Sequence, residues 1–142
     1  MRVSYLVVVA SIAAVAILGL LFYSQNDEGI TGEVVLTSIY MDVSSMEALA
    51  LINENPDIAI IDVSPFYNDG HIPGAVWYYY GDGSLEEAIP DFDPMWTYLV
   101  YCHFDGPSKN GAQKLVDAGF ENVYRLTDHF SGWVDEGYPV EY

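Results

Sequence analysis

The chain has 142 residues, with 21 acids against four lysines and arginines, a formal charge of −17 and one cysteine. That length supports one modest domain with its own core, and a lone cysteine excludes both a disulfide framework and a thiolate-cluster zinc site. The acidity excludes the basic footprint that nucleic acid requires. Hydrophobic residues make up 51% of the chain, too many for an acidic disordered tail, so the acids are expected to coat a folded body.

Residues 3–23 (VSYLVVVASIAAVAILGLLFY) carry no charge. As a helix this run spans about 30 Å, the hydrocarbon thickness of a bilayer. It closes on Leu20-Leu21-Phe22-Tyr23-Ser24, a poor site for signal peptidase. The run therefore predicts an uncleaved transmembrane signal anchor, with a cleaved signal peptide as the alternative. Arg2 precedes the run, Asp27 and Glu28 follow it, and the next cation is Lys109. By the positive-inside rule the N-terminus stays in the cytoplasm. The expected location is a single-pass cell-membrane protein whose C-terminal domain faces outside the cytoplasm. Residues 24–33 are polar and glycine-containing and read as a tether, leaving residues 34–142 for the folded domain.

Within that domain, residues 34–39 are β-branched enough for a first strand. Ser44 and Glu47 form a capping-box pattern that opens a helix to about Asn53, before Asn55-Pro56. The apolar run 58–63 predicts a strand buried on both faces, and residues 75–79 a third strand. Residues 84–87 (SLEE) repeat the capping-box pattern before a short helix that stops at Pro90. Residues 98–101 (YLVY) form the next strand, with Cys102 at its carboxyl end. A helix follows over residues 108–118, with Ser108 as N-cap and Ala112, Leu115 and Val116 buried; Gly119 ends it. Residues 122–126 are the last strand, and a short helical piece surrounds Gly132-Trp133-Val134. This alternation is the pattern of an α/β fold, a central parallel sheet of five strands with helices on both faces. Ligands of such sheets bind beyond the carboxyl ends of the strands, where Cys102 is placed.

Cys102 is followed by His103, Phe104, Asp105, Gly106 and Pro107 before the helix at Ser108. A thiolate there is expected to face backbone N–H groups and the positive end of a helix dipole, both of which lower a cysteine's pKa. An inert buried cysteine at a strand end is the alternative. A metal site built on Cys102, His103 and His129 has no ligand spacing to support it, so neither a metal nor another cofactor is expected.

The segment DVSPFYNDGHIPGA (residues 62–75) closely resembles the signature that follows the second strand in the rhodanese family. YLVYC, the loop after it, GAQKLVDAGFENVYRL and GWVDEGYPVEY resemble the rest of that family's single domain, in order and spacing, from about Thr37 to Tyr142. The resemblance implies a sulfurtransferase or sulfur carrier in which Cys102 is the nucleophile and bears a persulfide. The sulfane-sulfur donor would be thiosulfate, a polysulfide or a persulfide, and the acceptor a thiol. Backbone amides of His103, Phe104, Asp105, Gly106 and Ser108 would cradle the substrate anion, with Pro107 and Lys109 in the same substrate-binding segment. The resemblance makes residues 70–74 (GHIPG) a structural turn with His71 as a scaffold residue, and Trp133 with residues 138–140 a closure of the core. Residues 77–80 (WYYY) read as strand and sheet-edge packing.

The chain departs from the family pattern at two arginines. Many active members have one just before the position of Ser108, where Pro107 stands, and the usual Asp-x-Arg is here Asp62-Val63-Ser64. Asp105 adds a negative charge in the loop, so thiosulfate is disfavoured as the preferred donor. Lys109, in the first turn of a helix whose dipole disfavours it, is expected to serve the bound anion, with a solvated surface lysine as the alternative. Ser108 stands where the related Cys-x5-Arg phosphatases place arginine, which disfavours phosphoryl transfer. A catalytically silent rhodanese-like scaffold or binding module at the cell surface is the rival reading. Past Arg2 the only cations are Lys109, Lys114 and Arg125, a composition suited to a high-salt exterior.

Overall fold

A computed structural model describes residues 39–142. The expected membrane anchor, the tether and all but the last residue of the predicted first strand lie outside the described residues. Among the described residues no helix is long and apolar enough to cross a membrane. The first described strand is β1 (Met41–Val43), and Ile39 lies before it, outside any strand.

Helix α1 (Ser45–Glu54) starts at the capping box read from the sequence: Ser44 Oγ accepts from Glu47 N, and Glu47 Oε2 accepts from Ser44 N at 2.8 Å. Strands β2 (Ala59–Asp62), β3 (Val76–Trp77), β4 (Tyr98–Tyr101) and β5 (Val123–Leu126) complete a five-stranded sheet in the order β1-β5-β4-β2-β3. Every pairing is parallel. Helix α2 (Ser84–Ala88), helix α3 (Asp105–Asp117) and helix α4 (His129–Asp135) fill the connections with α1.

Alternation along the central strands sorts side chains to two cores. Ile61, Tyr98, Val100 and Val123 pack with Leu85 of α2 and Ala112, Leu115 and Val116 of α3. Ile60, Leu99, Tyr101 and Leu126 pack on the opposite face with Ala48 of α1 and Phe130 and Trp133 of α4. All four residues of β4 are buried, so the strand that ends at Cys102 is covered on both faces. Helix α3 approaches the sheet closely at Gly111, where an added Cβ would lie 3.3 Å from Val63 Cγ1 and 3.4 Å from Val100 Cγ1.

Two predicted helix starts move. Ser84 is not the cap of α2: Gly83 takes that position with φ of 85°, and Ser84 Oγ donates instead to Tyr79 O. Gly83 favours this left-handed backbone, and Asp82 Oδ1 accepts from Ser84 N to close the turn. Ser108 is not the cap of α3, which begins three residues earlier with Phe104 as N-cap. Pro107 falls in the first turn, where proline removes an N–H that the helix does not use.

The 70–75 turn is the expected scaffold. His71 and Glu141 exchange backbone hydrogen bonds of 2.8 and 2.9 Å, which staples the C-terminus to the turn. The His71 ring stacks on Tyr67 at 3.8 Å, and Ile72 N donates to Tyr101 Oη at 3.0 Å. Gly70 has φ of 134°, and a Cβ there would press within 3.2 Å of Val140. Trp133 closes the core by donating from Nε1 to Pro139 O. The 77–80 run divides: Tyr78 and Tyr80 pack against the α3-side core, whereas Trp77 is 43% exposed at the sheet edge.

Candidate functional site

Cys102 directly follows β4, at the carboxyl end of the sheet's central strand. Only His103 and Phe104 separate it from α3, so the turn is tighter than the five-residue loop read from the sequence. The backbone N–H groups of Phe104 and His103 favour the thiolate. Phe130 N donates to Cys102 O at 3.1 Å, so α4 pins the same residue from the other side.

The expected low thiol pKa is corrected. Cys102 is 1% exposed, and burial pushes its thiol above the ordinary cysteine value against the pull of the two amides. Asp62, fully buried at the end of β2, adds a smaller electrostatic push in the same direction. Its Oδ1 accepts from Ser64 N at 2.7 Å, while its Oδ2 has no hydrogen-bond partner. Burial raises the Asp62 pKa as well.

His103 projects between Phe66 and Phe130, with ring centroids 5.2 and 4.9 Å away. Burial lowers its pKa, so the ring is neutral at pH 7, and its Nε2 is buried without a partner. Phe104 is 55% exposed. Gly106 has open space where a side chain would stand, and Pro107 is half-buried beside it. Ser108 is buried and donates from Oγ to Asp105 O at 3.0 Å and Phe104 O at 3.3 Å, bracing the first turn rather than facing a ligand.

The charges differ from the sequence expectation. Asp105 does not leave a bare negative charge beside Cys102. Its carboxylate accepts from Arg125 Nη1 at 2.7 Å and pairs with Lys109 Nζ at 2.6 Å. These cations hold its pKa below the usual carboxylate range. Lys109 thus lies against Asp105, and Lys114 pairs with Glu86 at 2.6 Å.

Arg125 is the residue the sequence reading passed over. Its side chain is 4% exposed and grips Asp42 through Nε and Nη2 at 2.6 and 2.7 Å. Together with the Asp105 contact, this ties β1, β5 and the start of α3 into one network beside the Cys102 turn. The available signal was an arginine inside an otherwise apolar strand, because a cation there must be paired. Phe66, 38% exposed and 6.1 Å from Phe104, was also missed.

His129 lies at the start of α4 with Nδ1 against Thr127 O, and among the described residues no group of three His, Cys, Asp or Glu residues is placed to hold a metal ion. The arrangement suits a sulfur nucleophile at a strand end in a nearly dry setting.

The model of the rhodanese-like domain matches residues 45–136. The chain is 34% identical over 97 residues to the thiosulfate sulfurtransferase GlpE of Coxiella burnetii, covering 67% of this chain and 88% of that protein. It is 26% identical over 102 residues to GlpE of Glaesserella parasuis, covering 72% and 94% of the two chains. The solution structure of the rhodanese-like domain of Alr3790 from Anabaena sp. superposes with a TM-score of 0.62 at 28% identity, covering 72% of this chain and 80% of that one. The chain therefore belongs to the rhodanese-like domain family.

Proposed function

We propose that Cys102 accepts sulfane sulfur as a persulfide and passes it to a thiol acceptor. The observation that carries this reading is the position of Cys102 at the carboxyl end of the central strand, in the turn that leads into α3. The His103 and Phe104 amides would steady the negative charge on the outer sulfur of the persulfide. Thiosulfate sulfurtransferases among the relatives support the reaction class. In each half-reaction a thiolate attacks a sulfane sulfur, one S–S bond forms, and another breaks. No metal or other cofactor takes part.

Tethering belongs to the same proposal: residues 3–23 anchor the protein in the cell membrane and hold residues 34–142 outside the cytoplasm. The uncharged run and the placement of Arg2 support it. Alkaline carbonate washing of membranes should leave the chain in the pellet, and its release into the wash would refute the anchor.

Loading of the full chain with a polysulfide tests the chemistry. Intact mass should rise by about 32 Da for each transferred sulfur. No gain, while a control rhodanese is loaded under the same conditions, would refute the sulfur-carrier reading. That result would favour the second reading, a silent rhodanese-like scaffold or binding module. Two observations speak for it: Cys102 is almost fully buried, and Lys109, Lys114 and Arg125 are all paired with acids.

A further inference from the structure

Resting on the sulfur-carrier reading, the surroundings of Cys102 also restrict the donor. A sulfur oxyanion such as thiosulfate depends on charge-assisted donors for its binding. Among the described residues every lysine and arginine is already in an ion pair: Arg125 with Asp42 and Asp105, Lys109 with Asp105, and Lys114 with Glu86. The start of α3 has one donor fewer for an anion, since Pro107 removes one of its free N–H groups. The whole chain carries a formal charge of −17, which repels anions at a distance.

What the mouth of the turn offers is aromatic. Phe66 and Phe104 meet edge to face at 6.1 Å, and both are exposed. Phe66 also lies against the neutral ring of His103 at 5.2 Å. Phe104 lies two residues after Cys102, so this apolar rim borders the turn that carries the reactive sulfur. Two exposed phenyl rings gain from any apolar surface laid on them, and aromatic partners gain most.

We infer that the donor is a small organic persulfide, R–S–SH, whose carrier R is uncharged and apolar and rests on Phe66 and Phe104 while its terminal sulfur reaches Cys102. Cys102 releases its thiol proton to water, and Sγ attacks the terminal sulfur. The Sγ–S bond forms as the donor's S–S bond breaks, and the bonding pair leaves on R–S⁻, which takes up a proton from water. The hydrogen on the terminal sulfur stays with it. Cys102 sulfur is oxidised as the carrier sulfur is reduced, so no outside oxidant is required.

The test compares the full chain loaded with benzyl persulfide, glutathione persulfide, thiosulfate and inorganic tetrasulfide at equal concentration, followed by intact mass. Benzyl persulfide should load Cys102 about tenfold faster than glutathione persulfide or thiosulfate. In Phe66→Gln and in Phe104→Gln the ratio of benzyl to tetrasulfide rates should fall by about fivefold, whereas Phe104→Leu should keep it. That ratio cancels any general damage to the turn. Loading by thiosulfate or glutathione persulfide at the benzyl rate, or an unchanged ratio in both glutamine variants, overturns the inference and leaves the sulfur-carrier reading standing. Loading by none of the four donors overturns both.

Discussion

Replacing Pro107 with arginine should convert this site toward thiosulfate. Pro107 is the third residue of α3, so the substitution adds a guanidinium at the mouth of the turn and returns one N–H to the first turn. Asp105 does not absorb the new charge, since Arg125 and Lys109 already hold its carboxylate at 2.7 and 2.6 Å. Position 107 is half-buried and adjacent Gly106 has open space, so an arginine side chain has room to turn toward the anion. A charge-assisted contact is worth about 1.5–3 kcal/mol, and partial exposure places this one at the lower end, about a tenfold gain. Thiocyanate formation from thiosulfate and cyanide by the full chain reads that gain as kcat/KM, carried by a lower KM. Pro107→Gln restores the N–H without the charge and should gain no more than about threefold. If the two variants gain equally, or if neither gains while Cys102 still loads from polysulfide, the missing cation is not what limits thiosulfate use.

Three further outcomes follow from the packing and charge. Arg125→Met should lower stability by about 2 kcal/mol in urea unfolding, less than a fully buried pair would lose, because Asp42 and Asp105 are half-exposed and return to water; an unchanged midpoint would show that the network contributes nothing. Asp62→Asn should gain on the wild type between pH 4 and pH 7. Burial raises the Asp62 pKa, so its contribution is complete below the unfolded value of about 3.9 and is lost as pH rises through the folded one; a gap between the two proteins that stays constant with pH would refute this. Raising salt from about 0.1 M to about 1 M shortens the screening length from about 10 Å to about 3 Å, so the urea midpoint should climb. A midpoint that falls or stays flat would mean that self-repulsion at −17 does not limit stability.

Local signals were legible where one short segment decides the structure. The Ser44–Glu47 box is complete within four residues, and both of its bonds form. The apolar residues 58–61 leading through β2 and the YLVY of β4 announced strands covered on both faces, which placed Cys102 at the sheet's carboxyl end. Ser84 carried the same box pattern, yet Gly83 and Asp82 took the cap because a left-handed glycine turn closes there. Asp105-Gly106-Pro107 looked like loop, since glycine and proline usually break helices, but both are tolerated in a first turn. The electrostatics of the site were out of reach. Asp42 and Arg125 are 83 residues apart and meet only because β1 pairs with β5. From that position Arg125 also reaches Asp105, which it neutralises together with Lys109. The thiol followed the same pattern: the amides were foreseeable from the turn, while the burial that outweighs them depends on packing from α2, α3 and β2.

The most direct test of the account is single-turnover transfer from the loaded chain. Full-length protein carrying one added sulfur, freed of donor, is mixed with a small thiol and followed by intact mass and by persulfide formed on the thiol. The account predicts loss of about 32 Da from the protein and an equal amount of persulfide on the acceptor, with Cys102→Ser neither loading nor transferring. Sulfur that stays on the protein, or that loads equally in Cys102→Ser, would contradict it.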